Sequence, residues 1–360
     1  MRRSHITQCK LVIMLLFLST AYSLHAVEPH PATEELEQEN DQELEELFYT
    51  NPEERREAGL GRKITDWLTL SGLLEIQAGK HQRPTQSILL GVDLTLAEHV
   101  KAQFTLLADN SHRHYSELEE GFISLKYDEW GIRAGRQYLP FGQYYSHFVT
   151  DPILQFGETR GPSLLAEVNI TESFELSVFT FDGKVQNSSK RNNHDWGFNL
   201  EYKPADESLI IGTSYISDLS ESDEEFLREF NNNQIRTVSA WSVYALASFR
   251  NFELTAEYLQ ANKNFSELDE GVNKPIATNL ELAYFLTQNI QLAARIEHSK
   301  EVEDSPKRQH GFSVTWLPGD NFTIATEYLY GEYKKGFVQD SNGRDLKDIS
   351  TYGINISLAF

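Results

Sequence analysis

Apolar and polar residues alternate along most of the chain after Trp67. The pattern is plainest in the last ten residues, TYGINISLAF, whose apolar face comprises Tyr352, Ile354, Ile356, Leu358 and Phe360. A two-residue period places every second side chain on the same face of an extended chain. The sequence therefore predicts strands with one apolar face and one small or polar face.

About sixteen such segments can be counted between Trp67 and Phe360. Each is close to the ~9 to 11 residues that a tilted strand needs to cross a bilayer. Tight turns alternate with longer connections, as in outer-membrane barrels. The predicted fold is all-β: a transmembrane antiparallel β-barrel of about sixteen strands, preceded by a short acidic helical segment. The longer connections are predicted near residues 80–85, 109–116, 138–161, 183–193, 217–236, 262–274, 299–308 and 331–348.

Seven tight turns and eight long loops put both chain ends on the side of the turns, which is the periplasmic side in such barrels. Aromatic residues near strand ends then predict two interfacial girdles. The girdle at the turns comprises Tyr127, Trp130, Phe174, Tyr202, Phe252, Tyr284, Trp316, Phe322 and Phe360, and the girdle at the loops comprises Tyr215, Tyr258, Tyr328, Tyr330 and Tyr352. A terminal Phe after such a strand resembles the insertion signal of bacterial outer-membrane barrels.

The N-terminus predicts export, because basic residues precede the apolar run LVIMLLFLSTAYSL and a plausible cleavage site at residues 24–26. We predict a cleaved signal peptide over residues 1–26, an acidic periplasmic segment over 27–63 and a barrel in the bacterial outer membrane over 64–360. Cys9, the only cysteine, falls within the predicted signal peptide. The mature chain would then have no thiol chemistry.

Charge and composition exclude several function classes. A formal net charge of -22 has the wrong sign for neutralising nucleic-acid phosphates. No arrangement of Ser, His and acidic residues has the spacing of a hydrolase, so we expect no enzymatic activity. We also expect no cofactor and no metal site.

A barrel of sixteen strands is wide enough for an aqueous channel, which predicts transport of a small solute. Charged residues on the second face of the strands would be costly against lipid, so we expect them to line the pore. The predicted pore-lining residues are Glu75, Asp93, Lys101, Lys126, Arg133, Glu201, Glu257, Glu281, Arg295 and Glu297.

The third long loop, residues 138–161, is richer in aromatic residues than a hydrated loop should be. We expect it to fold inward and narrow the lumen. Solute would then meet a planar guanidinium, carboxylates and tyrosine rings, and the candidate binding or constriction residues are Tyr144, Tyr145, Asp151, Glu158 and Arg160. The alternative is a purely structural loop, with its rings packed on the inner wall and Arg160 paired to Asp151 or Glu158.

Three segments carry a family resemblance: WLTLSGLLEIQAG, GIRAGRQY and the loop sequence PFGQYYSHFVTDPILQFGETR. Together they resemble the LbtU-type siderophore porins, receptors for legiobactin-like iron chelators. The strongest part is Asp151-Pro152 followed by Gly157 to Arg160. The resemblance implies uptake of a ferric polycarboxylate siderophore, but it transfers no ligand residues.

Two other functions remain open. One is a general or phosphate-type diffusion porin, although a phosphate channel should present a ladder of lumen Lys and Arg, and this sequence mixes both signs. The other is a surface adhesin or structural barrel that uses the acidic loop at 217–236. The predicted partners are outer-membrane lipid and a small solute such as an iron-siderophore complex, and a homo-oligomer is left open.

Overall fold

The computed structural model describes residues 61–80, 82–110, 116–182, 195–223, 227, 237–266, 268–319, 321–334, 344–345 and 347–360. The predicted signal peptide and nearly all of the predicted acidic segment lie outside the described residues. The strands are β1 (Arg62–Thr65), β2 (Leu68–Gly79), β3 (Gln82–Ala97), β4 (Val100–Asp109), β5 (Glu117–Lys126), β6 (Trp130–Tyr138), β7 (Arg160–Thr171), β8 (Phe174–Phe181), β9 (Asp195–Tyr202), β10 (Leu209–Ile216), β11 (Ala240–Phe249), β12 (Phe252–Ala261), β13 (Ile276–Thr287), β14 (Ile290–Lys300), β15 (Arg308–Gly319), β16 (Phe322–Glu332) and β17 (Asp348–Ala359).

Strands β2 to β17 form a closed sixteen-stranded antiparallel barrel, which confirms the predicted fold class. Each of these strands pairs with its neighbours in the sequence, and β17 pairs with β2 to close the sheet. The four-residue strand β1 only extends the sheet beside β2. Within the described residues, no helix is both long enough and apolar enough to cross a membrane.

The first and last strands of the barrel meet at a seam that includes the last residue of the chain. Gly72 and Phe360 exchange two backbone hydrogen bonds, with N···O distances of 2.7 and 2.9 Å. A Cβ atom at position 72 would lie 2.3 Å from the Phe360 ring. Glycine at this position therefore leaves room for the terminal aromatic side chain at the seam.

The two faces of the strands differ as the alternation predicts, and β14 shows it clearly. Ile296 is 64% exposed on the outer face, whereas its neighbours Arg295 and Glu297 are each 1% exposed on the inner face. Apolar side chains outside and polar side chains inside are the arrangement that lipid on one side and water or protein on the other require.

One predicted connection is wrong. Residues 80–85 were expected to form a long loop, but Gly79 pairs with Gln82 and the ladder between β2 and β3 continues from there. The strands extend beyond the apolar zone, where both faces can be polar and alternation no longer marks them. The third long connection, residues 139–159 between β6 and β7, contains a short 3-10 helix, Ile153–Gly157.

Candidate functional site: the barrel interior and its inner loop

Residues 139–159 lie inside the barrel, and we call them the inner loop. The Gly142 N–H donates to Ser214 Oγ on β10 at 2.9 Å. The Thr150 N–H donates to Glu327 Oε2 on β16, also at 2.9 Å. Because the strands between β10 and β16 are neighbours in the sheet, the inner loop spans seven adjacent strands of the inner wall.

Two glutamates hold the first half of the inner loop. Glu257 on β12 accepts the N–H groups of Gln143 at 3.0 Å and Tyr144 at 2.9 Å. Glu281 on β13 accepts the Ser146 hydroxyl at 2.8 Å and the His147 N–H. An irregular segment buried in a protein needs partners for its backbone N–H groups, and these carboxylates supply them.

The second half is held in the same way, with an arginine added. Glu327 accepts the N–H and the hydroxyl of Thr150, and Glu297 Oε1 on β14 accepts the Ile153 N–H at 2.6 Å. Arg295 donates to the Thr150 carbonyl at 2.8 Å. Its guanidinium also lies 4.3 Å from the centre of the Phe148 ring, so the cation contacts both backbone and aromatic parts of the loop.

His147 contacts inward-facing side chains on three strands. Its imidazole Nε2 lies 3.3 Å from Glu253 Oε2 on β12, its Nδ1 contacts the Gln291 amide on β14, and its carbonyl accepts the Ser313 hydroxyl on β15 at 3.0 Å. Burial lowers the pKa of this loop imidazole to about 3, so the ring is neutral at physiological pH and acts as a hydrogen-bonding group.

Three aromatic residues of the inner loop, Phe141, Tyr144 and Phe156, pack in one apolar cluster. Phe141 is fully buried, and Tyr144, Leu154 and Phe156 are buried with it. The cluster joins the inner loop to the inner face of the strands and to other connections near the same end of the barrel. Its other members include Leu165, Phe179, Ile216, Leu219, Leu227, Leu259, Phe265 and Val302.

Arg160, at the end of the inner loop, is surrounded by acids. It forms ion pairs with Glu119, with Glu117 at 3.4 Å and with Asp223 at 3.5 Å. None of these three acids was among the partners predicted from the sequence. The guanidinium is also 5.3 Å from the centre of the Tyr138 ring, so its charge and its flat face both already have partners.

The other four candidate residues of the loop are placed as follows. Tyr144, Tyr145 and Glu158 are buried and Asp151 is half-buried. Glu158 accepts from the Gln155 amide at 3.1 Å. Contact of these residues with a solute stays a prediction.

The ten predicted pore-lining residues fall into two groups. Glu257, Glu281, Arg295 and Glu297 hold the inner loop, as described above. The others are on the inner face of their strands: Glu75 accepts from the Asn355 amide at 3.3 Å, Glu201 accepts from the Tyr244 hydroxyl at 2.8 Å, Arg133 pairs with Glu167, and cross-strand register places Asp93, Lys101 and Lys126 on the same face.

The sequence reasoning missed several residues that hold the inner loop, chiefly Glu253 and Glu327, with Ser146, Gln291 and Ser313. The two glutamates were detectable, because each alternates with apolar residues on a predicted strand. The serines and the glutamine carry no such signal, since polar residues are common on any inner face.

The inner face is strongly acidic. Among the described strand residues whose register places them inward, fourteen are acidic and four are basic, an excess of ten carboxylates. The basic residues are Lys101, Lys126, Arg133 and Arg295, and the acidic ones are Glu75, Asp93, Asp109, Glu117, Glu120, Glu167, Glu175, Asp195, Glu201, Glu253, Glu257, Glu281, Glu297 and Glu327.

Solved structures share this architecture. The anion-selective porin of Comamonas acidovorans superposes with a TM-score of 0.61 at 11% identity, covering 81% of this chain and 99% of that one. The fold is that of an outer-membrane porin. Salmonella typhi OmpF, in a complex with daunomycin, gives a TM-score of 0.59 at 13% identity over 81% of this chain and 97% of that chain. The Acinetobacter baumannii channel DcaP gives 0.58 at 13% identity over 83% and 99%.

Sequence comparison gives a match over only part of the chain. A UPF0422 protein of Coxiella burnetii is 30% identical over 140 residues, which are 36% of this chain and 30% of the Coxiella protein. The aligned region thus spans less than a third of that relative's length. No protein-family model matches the chain.

Proposed function

We propose that this protein is an outer-membrane diffusion channel that prefers small cationic solutes. The observation that carries the proposal is the excess of ten carboxylates on the inner face of a porin fold. A bore lined by one sign of charge raises the local concentration of counter-ions and repels ions of its own sign. Cations should therefore enter more readily than anions.

The test is a reversal potential in a planar bilayer across a tenfold KCl gradient. We expect the sign that corresponds to K⁺ preference. The double variant Glu75→Gln/Glu175→Gln removes two inward charges and should shift the potential toward zero. The matched control Glu98→Gln/Glu129→Gln removes two exposed charges at the turns and should leave it unchanged.

An anion-selective wild-type channel would refute the proposal. Equal shifts in the inward and control variants would also refute the assignment of selectivity to the inner face. Raising the salt concentration should weaken the preference, because the Debye length shortens from ~10 Å at 0.1 M to ~3 Å at 1 M.

Uptake of a ferric siderophore is the second candidate, and it is supported by the resemblance of the inner-loop sequence to LbtU-type siderophore porins. The acidic inner face would repel an anionic polycarboxylate chelate. Arg160, the loop cation best suited to bind a carboxylate, already forms ion pairs with acids of the protein. Uptake of radioactive iron bound to a polycarboxylate siderophore, in cells with and without the protein, decides between them. Iron uptake that depends on the protein would favour the siderophore role.

The remaining alternatives have less support. A phosphate channel needs a ladder of basic residues, whereas the described inward strand positions include four. An adhesin or structural barrel would show no conductance. Homo-oligomerisation, the absence of an enzymatic activity and the cleaved signal peptide stay predictions.

A further inference from the structure

Four residues that can carry positive charge lie together on the outer surface of β14 and β15, near the long-loop end. His298 pairs directly with Arg308, and Ile296 pairs with His310. Ile296 faces outward with 64% of its surface exposed, so its partner and the alternate residues beyond it face outward too. We call His298, Lys300, Arg308 and His310 the cationic patch.

The cationic patch lies just beyond an aromatic belt. The His310 ring is 5.3 Å from the Tyr330 ring, and the Phe312 ring is 5.7 Å from that of Tyr328. Such belts mark the boundary between lipid tails and headgroups. Arg308 is four residues from Phe312 along β15, which corresponds to roughly 13 Å along the strand, and this places it beside the headgroups.

The charges of the patch are accessible from outside the barrel. Arg308 is exposed and makes no ion pair with any described residue, although Glu332 is its cross-strand neighbour. Lys300 is 65% exposed and lies 3.3 Å from Glu301. Elsewhere at this end, the outward positions of β9 to β12 carry uncharged rings instead: Trp196, Tyr215, Trp241 and Tyr258.

We propose that the cationic patch binds the phosphate groups of a phosphorylated glycolipid in the outer leaflet. Arginine offers a planar fork that matches phosphate oxygens, and lysine offers a point charge. The adjoining outer surface carries Phe312, 58% exposed, and Ile296, which acyl chains would cover. A lipid with a phosphate headgroup and acyl chains fits both the cationic patch and the adjoining apolar surface, whereas free phosphate fits only the cationic patch.

The experiment measures lipid bound to the detergent-purified, full-length barrel by native mass spectrometry, with bisphosphorylated lipid A as the probe. The variant Lys300→Gln/Arg308→Gln should retain about tenfold less lipid, since each basic residue near an anionic membrane surface contributes substantially to binding. The control Lys63→Gln/Lys203→Gln removes two charges at the opposite end and should bind like the wild type. Glu332→Gln removes the acid facing Arg308 and should increase retention.

Two further arms identify the source of the phosphate. Lipid A stripped of its phosphates should bind the wild type about tenfold less well, and this comparison decides the matter even if the double variant does not fold. Equal retention by the wild type and a folded double variant would overturn the proposal. Displacement of lipid A by millimolar inorganic phosphate would also overturn it, since the patch would then be a site for the free ion.

Discussion

For the inward-facing glutamates, the sequence predicts the face of the strand on which each lies but not the residues that each contacts. Alternation places Glu257, Glu281 and Glu297 on the inner face, and the structure has them there. It says nothing of their partners, which lie 113 to 144 residues earlier in the chain. No local pattern encodes contacts at that separation, so side chains predicted to face solute instead bind the backbone of the inner loop.

Glu281 should matter more for stability than an inward acid that does not hold the loop. Glu281→Ala removes two hydrogen bonds to a buried carboxyl group and leaves the Ser146 hydroxyl and the His147 N–H without this acceptor, which should cost about 3 kcal/mol. The measurement is the free energy of unfolding in guanidinium. Glu175→Ala is the matched control, because Glu175 faces inward but its hydrogen bond is to Ser177 two residues away.

The conservative change Glu281→Gln separates hydrogen bonding from charge. Glutamine keeps one carbonyl acceptor, so it should recover part of the lost stability. A Glu281→Ala protein as stable as the Glu175→Ala protein would contradict the role assigned to this side chain.

Among the elements, the inner loop is the one whose amino-acid composition predicted its burial. Its aromatic residues predict a segment withdrawn from water, and the structure buries all of them, with Phe141, Tyr144 and Phe156 in one cluster and Phe148 in another. The short 3-10 helix and the left-handed backbone at Tyr144, with φ of 51°, had no sequence signal, because a non-glycine residue rarely adopts that conformation. The prediction of a loop at residues 80–85 was wrong because composition was misleading there. The polar residues are typical of a loop, but they belong to the extended ends of two strands.

Two phenylalanines of the inner loop can be tested against two on the outer surface. Phe141→Ala/Phe156→Ala opens a cavity in the apolar cluster and should lower the free energy of unfolding by several kcal/mol, at roughly 3 to 5 kcal/mol for each fully buried Phe. Phe249→Ala/Phe252→Ala truncates rings that are 67% and 44% exposed and should cost less.

The same pair of variants has a readout in single-channel recordings. A loosened inner loop should produce larger current fluctuations, whereas the outer variant should record like the wild type. If Phe141→Ala/Phe156→Ala were destabilised but showed current fluctuations no larger than the wild type, the cluster would stabilise the barrel without affecting conductance through the pore.

For the whole molecule, sequence period and loop parity were enough to predict sixteen strands and closure, because both follow from local alternation repeated along the chain. The distribution of charge was not predictable from the net value of -22, since a total does not separate the inner face from turns and loops. The strand register shows which charged residues lie on the inner face, and their acidic excess is the basis for the expected cation preference. Register also brought His298, Lys300, Arg308 and His310 together from two strands.

We expect Phe360 to contribute to closure of the barrel, and this can be tested directly. Deleting Phe360 removes both backbone hydrogen bonds to Gly72 and the ring that lies over it, so less of the protein should reach the closed form. The measurement is the fraction that keeps compact, heat-modifiable mobility on gels without boiling. Phe360→Trp keeps the backbone bonds and an aromatic ring, and should fold nearly as well. If the deletion folded as well as the tryptophan variant, the pairing of β17 with β2 upstream of Phe360 would be sufficient to close the sheet.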